Sequence, residues 1–220
     1  MQSRRALLIA PVTALLAAGA LAGCRSQGDI VVEQGVGITA LRGVCPAVGV
    51  PLFLGDVTLF DPVGSVTSDA MDVTATITDV RSSCNDAVDP VYASATFQVL
   101  GQRRDTNGAR RVELPYFSTV VRGGDAVVAK RLGTVTLDFA DGEARAQGAG
   151  TAAAYVDRAE ATLPGDIRER ITRRRKAGDE EAAIDPLTQP DVRTAIARAT
   201  FELLIGFQLT EDQLRYNASR

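Results

Sequence analysis

The sequence predicts a mainly β protein, an antiparallel β-sandwich with a helical excursion over about residues 160–197 before the last strand. Three observations carry this. Apolar and polar residues alternate with period two through much of residues 71–157, the pattern of strands that bury one face. Turn-forming residues recur at short intervals between these runs. No strand–helix–strand rhythm appears, which argues against parallel crossover units. An open α+β sheet on which the helices pack is the alternative architecture.

The early strands are expected at 38–43, 52–60 and 71–80. In the last of these, Met71, Val73, Ala75 and Ile77 fall on one face and Asp72, Thr74, Thr76 and Thr78 on the other. In the next run Val91, Ala93, Ala95, Phe97 and Val99 oppose Tyr92, Ser94, Thr96 and Gln98. Val112, Leu114 and Tyr116 then share one side. Asp105-Thr106-Asn107-Gly108 is a hairpin signal, because Asn-Gly tolerates the positive φ that such turns need. Arg122-Gly123-Gly124-Asp125 and Asp141-Gly142 are two more. Three tight turns in a row predict a meander of strands near 91–103, 110–121, 126–139 and 143–157.

After Leu163 the pattern changes. Pro164 suits a helix start, since that position has no use for the amide hydrogen proline lacks. Leu163, Ile167 and Ile171 form a thin apolar stripe, which predicts a helix that docks lightly. Pro190 and Asp191 open a second short helix with Val192, Ala195, Ile196 and Ala199 on one face. Phe201, Leu203, Ile205, Phe207 and Leu209 alternate as the last strand, and Thr210-Glu211-Asp212-Gln213 reads as a capping box opening a terminal helical turn. The seven or eight strands loosely resemble an immunoglobulin-like sandwich, in architecture only.

The amino terminus carries a different message. Arg4 and Arg5 precede an apolar run from Ala6 to Ala20, the plan of a secretory signal. The run contains Pro11 and is short for a membrane span, which needs about 20 apolar residues. It ends in Leu21-Ala22-Gly23-Cys24, which resembles the lipobox of bacterial lipoproteins at all four positions. That resemblance implies removal of residues 1–23, acylation of Cys24 and attachment of the mature chain to a membrane through that lipid. Arg25, rather than aspartate, follows the cysteine, and by the sorting rule of enteric bacteria this favours the outer membrane, facing the periplasm. Ser3 to Leu8 also looks like part of a twin-arginine export signal, without its usual aromatic and lysine. Residues 24–37 read as a polar, Gly-containing lipidated tether, and 38–220 as a single β-rich domain.

Three cysteines are an odd number for an exported chain. With Cys24 assigned to lipid, Cys45 and Cys84 remain, each beside turn-forming residues, and an oxidising compartment permits a disulfide between them.

The whole chain carries 24 basic and 27 acidic residues, and loss of the leader's two arginines leaves a net charge of about −5, which argues against general nucleic-acid binding. There is no histidine, so Ser-His-Asp and Cys-His catalysis is excluded, and zinc has too few ligands. No Gly-x-Ser-x-Gly motif occurs, and neither lysine lies in Ser-x-x-Lys spacing. Gly148-Ala149-Gly150-Thr151-Ala152-Ala153 matches a dinucleotide fingerprint in form, but it reads as a strand of small residues that lets another layer approach. The acidic turn Asp138 to Glu143 lacks calcium-loop spacing. A hydrolase would therefore rest on unplaced Asp or Glu carboxylates. No cofactor is implied.

The strongest local charge feature is Arg168, Arg170, Arg173, Arg174, Arg175 and Lys176. Near a membrane such a run suits anionic lipid or an acidic envelope protein. Residues 165–181, with this run and little apolar surface, are expected to be mobile until they meet such a partner. The function expected from sequence is a non-catalytic binding or structural role in the cell envelope.

Overall fold

Eight strands form two four-stranded sheets in the computed structural model, which describes residues 43–173, 178 and 184–220. The strands are β1 (Ala47–Gly49), β2 (Asp56–Phe60), β3 (Met71–Asn85), β4 (Val91–Arg103), β5 (Arg110–Arg122), β6 (Ala126–Phe139), β7 (Arg145–Val156) and β8 (Phe201–Phe207). One sheet runs β1-β8-β5-β6 and the other β2-β3-β4-β7. Every pairing is antiparallel except β1 with β8, where Val48 lies opposite Leu203. The inward positions of the two sheets meet in one apolar core that includes Val73, Ala75, Phe97, Val99, Leu114, Leu137, Leu203 and Ile205. This is the β-sandwich the alternation predicts, and the open-sheet alternative is set aside.

Two of the three expected hairpins are not hairpins. The chain reverses at Asp105–Gly108, but β4 pairs with β3 and β7 while β5 pairs with β6 and β8. The turn therefore carries the chain from one sheet to the other. The same holds at Asp141-Gly142, between β6 and β7. Only Gly123 and Gly124, with φ of 69° and 90°, close a true hairpin, between β5 and β6. The strand expected at 52–60 shortens to Asp56–Phe60, and β3 runs five residues past its expected end at 80, through a register shift between Thr78 and Arg81. The strand expected at 38–43 lies almost wholly outside the described residues.

Small residues set how closely the layers approach. A Cβ on Gly150 would sit 2.2 Å from the Phe97 ring, and one on Gly148 would sit 2.6 Å from the carbonyl oxygen of Thr136 on the facing sheet. Phe97 has no room to retreat, being buried and packed edge-on against Tyr116 with ring centroids 5.0 Å apart. Gly150→Ala should therefore lose about 1–3 kcal/mol by overpacking. Gly165→Ala, where an added Cβ meets nothing within 4 Å, should stay within about 0.5 kcal/mol. Urea unfolding of the two variants tests this, and equal midpoints would show that the core yields at Phe97.

The helices are α1 (Gly165–Thr172), α2 (Pro190–Ala199) and α3 (Glu211–Ser219). The predicted capping box is present at Thr210: its hydroxyl accepts from the Gln213 amide, and the Gln213 side chain accepts from the Thr210 amide. The helix it opens is longer than the single turn expected. Tyr216 packs edge-on against Phe60, and the Asn217 side chain donates to the carbonyls of Phe53 and Asp56, so α3 secures the approach to β2.

α1 docks within the excursion and not on the main core, consistent with its thin apolar stripe. Ile167 and Ile171 are buried with Val192 of α2 in a second small cluster, against which Leu163, Leu187, Ala195 and Ile196 pack. Two isoleucines are enough because the partner stripe on α2 is just as narrow. The excursion is joined to the sandwich through α2: Arg122 donates through Nε to the Arg198 carbonyl, and the Gly123 amide donates to that of Thr200.

Candidate interaction surfaces

Cys45 and Cys84 are bonded, with an S–S distance of 2.01 Å. Cys45 lies just before β1 at the edge of one sheet and Cys84 near the end of β3 in the other, so the bridge staples the two layers together. Cys24 lies outside the described residues, as do Arg174, Arg175 and Lys176.

The described arginines of the basic run divide by role. Arg170 is structural: its Nη1 is 2.5 Å from Asp191 and its Nη2 donates to Gln189, joining α1 to the start of α2. This ion pair holds the Asp191 carboxyl below its ordinary pKa, so its contribution is present at neutral pH and fades as acid protonates the carboxylate. Arg168 reaches back to the Leu163 carbonyl at 3.4 Å, and the Arg173 amide donates to the Glu169 carbonyl. Within the described half of the run, the Arg170 side chain thus joins the two helices of the excursion.

The acidic turn is also built into the fold. Asp138 pairs with Arg111 at 2.6 Å, and the Asp141 carboxylate accepts from the Gly108 amide at 2.7 Å. Among the described residues, no group of three or more His, Cys, Asp or Glu side chains gathers as a metal site, and no helix is long and apolar enough to cross a membrane.

A cation that the sequence reading passed over, Arg103, is deeply engaged in the fold. Arg103, only 2% exposed at the end of β4, donates from Nε to the Glu143 carbonyl, from Nη1 to Gly108 and from Nη2 to Thr106 and Ala140. Its guanidinium also lies 5.3 Å from the centroid of the Phe139 ring. It fastens the two sheet-crossing turns to each other. The signal was its parity: Arg103 continues the inward series Val91, Ala93, Ala95, Phe97, Val99 and Gly101.

Concave surfaces also occur among the described residues, and two of them involve the strands of the sheets. The first is a shallow groove of about 620 Å³ on the outer face of the β2-β3-β4-β7 sheet, lined by Thr74, Thr76, Leu100, Gln102, Arg145 and Gln147. Thr76 donates to Asp56, leaving hydroxyl, amide and guanidinium groups that offer hydrogen bonds to a polar partner.

The second is a cleft of about 490 Å³ that includes Tyr116, Ser118, Arg131, Leu132, Thr151 and Ala152. The edges of β6 and β7 touch where Gly148 meets Val135 and Thr136. Nearer the β5–β6 turn, the cleft lies between Arg131-Leu132 and Thr151–Ala153, and the Tyr116 hydroxyl bridges it by donating to the Thr151 carbonyl at 2.7 Å. Burial along β6 changes at the same place. Val135, Leu137 and Phe139 are buried, whereas every residue from Ala126 to Leu132 is exposed.

Compared with known proteins, the chain matches no family model, no curated protein and no solved structure.

Proposed function

We propose that this protein is a lipid-anchored component of a bacterial cell envelope, fixed to a membrane through Cys24, whose β-sandwich binds or braces another envelope component without catalysis. The observation that carries the reading is Leu21-Ala22-Gly23-Cys24, in register with a basic start and an apolar run. The Cys45–Cys84 bridge supports it, because such bonds persist in oxidising compartments such as the periplasm. Arg25 after the cysteine favours the outer membrane. The non-catalytic part is supported by the chain's lack of histidine and by the structural use of Asp138 and Asp141. These two carboxylates hold turns and strands, so a carboxylate-based hydrolase is the weaker reading. Among the described basic residues Arg170 is engaged within the fold, so a module acting through the basic run is weaker too.

Cell fractionation tests the anchor. The wild type should remain with membranes and Cys24→Ser should move to the soluble fraction, while equal membrane retention of both would overturn the assignment. Crosslinking in intact cells followed by mass spectrometry identifies the partner.

A further inference from the structure

Edge strands expose a row of unpaired backbone amides and carbonyls, and proteins normally shield them by shortness, bulges, prolines, charges or a covering element. The first half of β6 is shielded weakly. It is the outer strand of its sheet, and Ala126–Leu132 is exposed on both faces, with Val127 at 65%, Val128 at 55% and Leu132 at 69%. Its protection is a register shift opposite Val120 and Val121 and two adjacent cations, Lys130 and Arg131.

These cations face different ways. Lys130 lies over the Phe117 ring at 5.2 Å, on the outer face of the sheet. Arg131 pairs in register with Ser118 and lines the cleft beside it. Ser118 is itself 94% buried and lines the same cleft. The cleft therefore presents a guanidinium and a hydroxyl next to an open strand edge, with apolar side chains along that edge. No carboxylate occurs between Ala126 and Phe139 except Asp138, which is already paired with Arg111.

We propose that the edge of β6 over Ala126–Leu132 is a strand-addition site for an extended acidic and apolar segment of a partner protein, with a carboxylate of that segment seated on Arg131 in the cleft. Main-chain hydrogen bonds to the open edge would supply affinity, and alternate side chains would supply choice. The charge pattern selects the partner. A second copy of this chain added at the same edge would bring two Lys130-Arg131 pairs into one two-stranded patch with no acid among them, and facing like charges destabilise cross-strand pairs. An acidic strand meets the opposite situation. The proposal rests on the binding role above but not on the anchor, so the two are tested separately.

The assay uses the full chain in mild detergent and a fluorescent ten-residue peptide of alternating valine and threonine with two glutamates, beside a counterpart carrying lysines instead. Anisotropy at low salt should show the glutamate peptide binding at least about tenfold more tightly. Arg131→Glu, at an exposed position, should abolish or reverse that preference without lowering stability. Hydrogen exchange should slow in Ala126–Leu132 when the glutamate peptide binds. Equal affinity for both peptides, protection confined to another strand, or sedimentation showing copies paired through β6 would each overturn the proposal. Retained binding by Arg131→Glu would do the same. Failure of Cys24→Ser to leave the membrane would overturn the anchor and leave this result standing.

Discussion

Replacing Arg103 with leucine is expected to cost about 4–5 kcal/mol of folding stability, the largest effect of any single substitution considered. The reason is geometric. The guanidinium serves four carbonyls from two separate turns, those of Thr106 and Gly108 on one side and Ala140 and Glu143 on the other. A hydrogen bond to a charged donor contributes about 1.5–3 kcal/mol, and a leucine leaves the acceptors with only such water as can reach them. The contributions do not add fully, because both turns lie near the surface and rehydrate in part. Thermal unfolding should fall by roughly 10–15 °C for a domain of this size. Arg103→Lys keeps the charge but lacks a planar fork of donors, so it should recover only part of the loss. Arg111→Ala is the control: its ion pair with Asp138 is exposed on both sides, so its loss should leave the melting temperature nearly unchanged. If Arg103→Leu melts with the Arg111 variant, the two turns are held by their own backbone geometry and the arginine is incidental.

The contrast between these arginines explains what was legible in the sequence. Period-two alternation located β4 and β5 almost to the residue, because each has a continuous buried face, whereas β6, exposed from Ala126 to Leu132, was bounded by the turn residues on either side of it. Turn chemistry located the reversals as well, but Asn107-Gly108 specifies only the local dihedral angles. Whether the next strand returns beside its neighbour or crosses to the facing sheet depends on contacts made by distant residues. Tyr116 is an example: its hydroxyl ties β5 to the edge of β7 at Thr151, a link that no local pattern records. Arg103 was hidden because an arginine at a strand end reads as a solvent residue unless its parity is followed. The edge of β6 was hidden for the opposite reason. Val127, Val128 and Leu132 look like core residues in sequence, and only the folded structure shows them exposed at a sheet edge. Within the basic run, charge count alone did not reveal that Arg170 has a partner inside the fold, Asp191.

Removing the disulfide, with Cys45→Ala and Cys84→Ala together, should cost about 3.5–4 kcal/mol for a bridge whose cysteines are 39 residues apart. The estimate treats the bond as a restraint on the unfolded chain, and the native structure adds a local effect. β1 is a three-residue strand at a sheet edge, held on one side by parallel pairing with β8 and on its amino-terminal side by Cys45. Without the bridge, hydrogen exchange at Ala47–Gly49 should accelerate more than at Leu203 or Ile205, which are fully buried in the adjacent strand. That difference distinguishes loosening of the edge from uniform destabilisation. Reduction of the wild type should reproduce both changes, since Cys45 and Cys84 are its two disulfide thiols. A loss below about 1 kcal/mol would mean that structure remaining in the reduced unfolded chain already constrains the loop. A loss near the expected size would mean that the fold forgoes the restraint joining its two sheets wherever the bond is reduced.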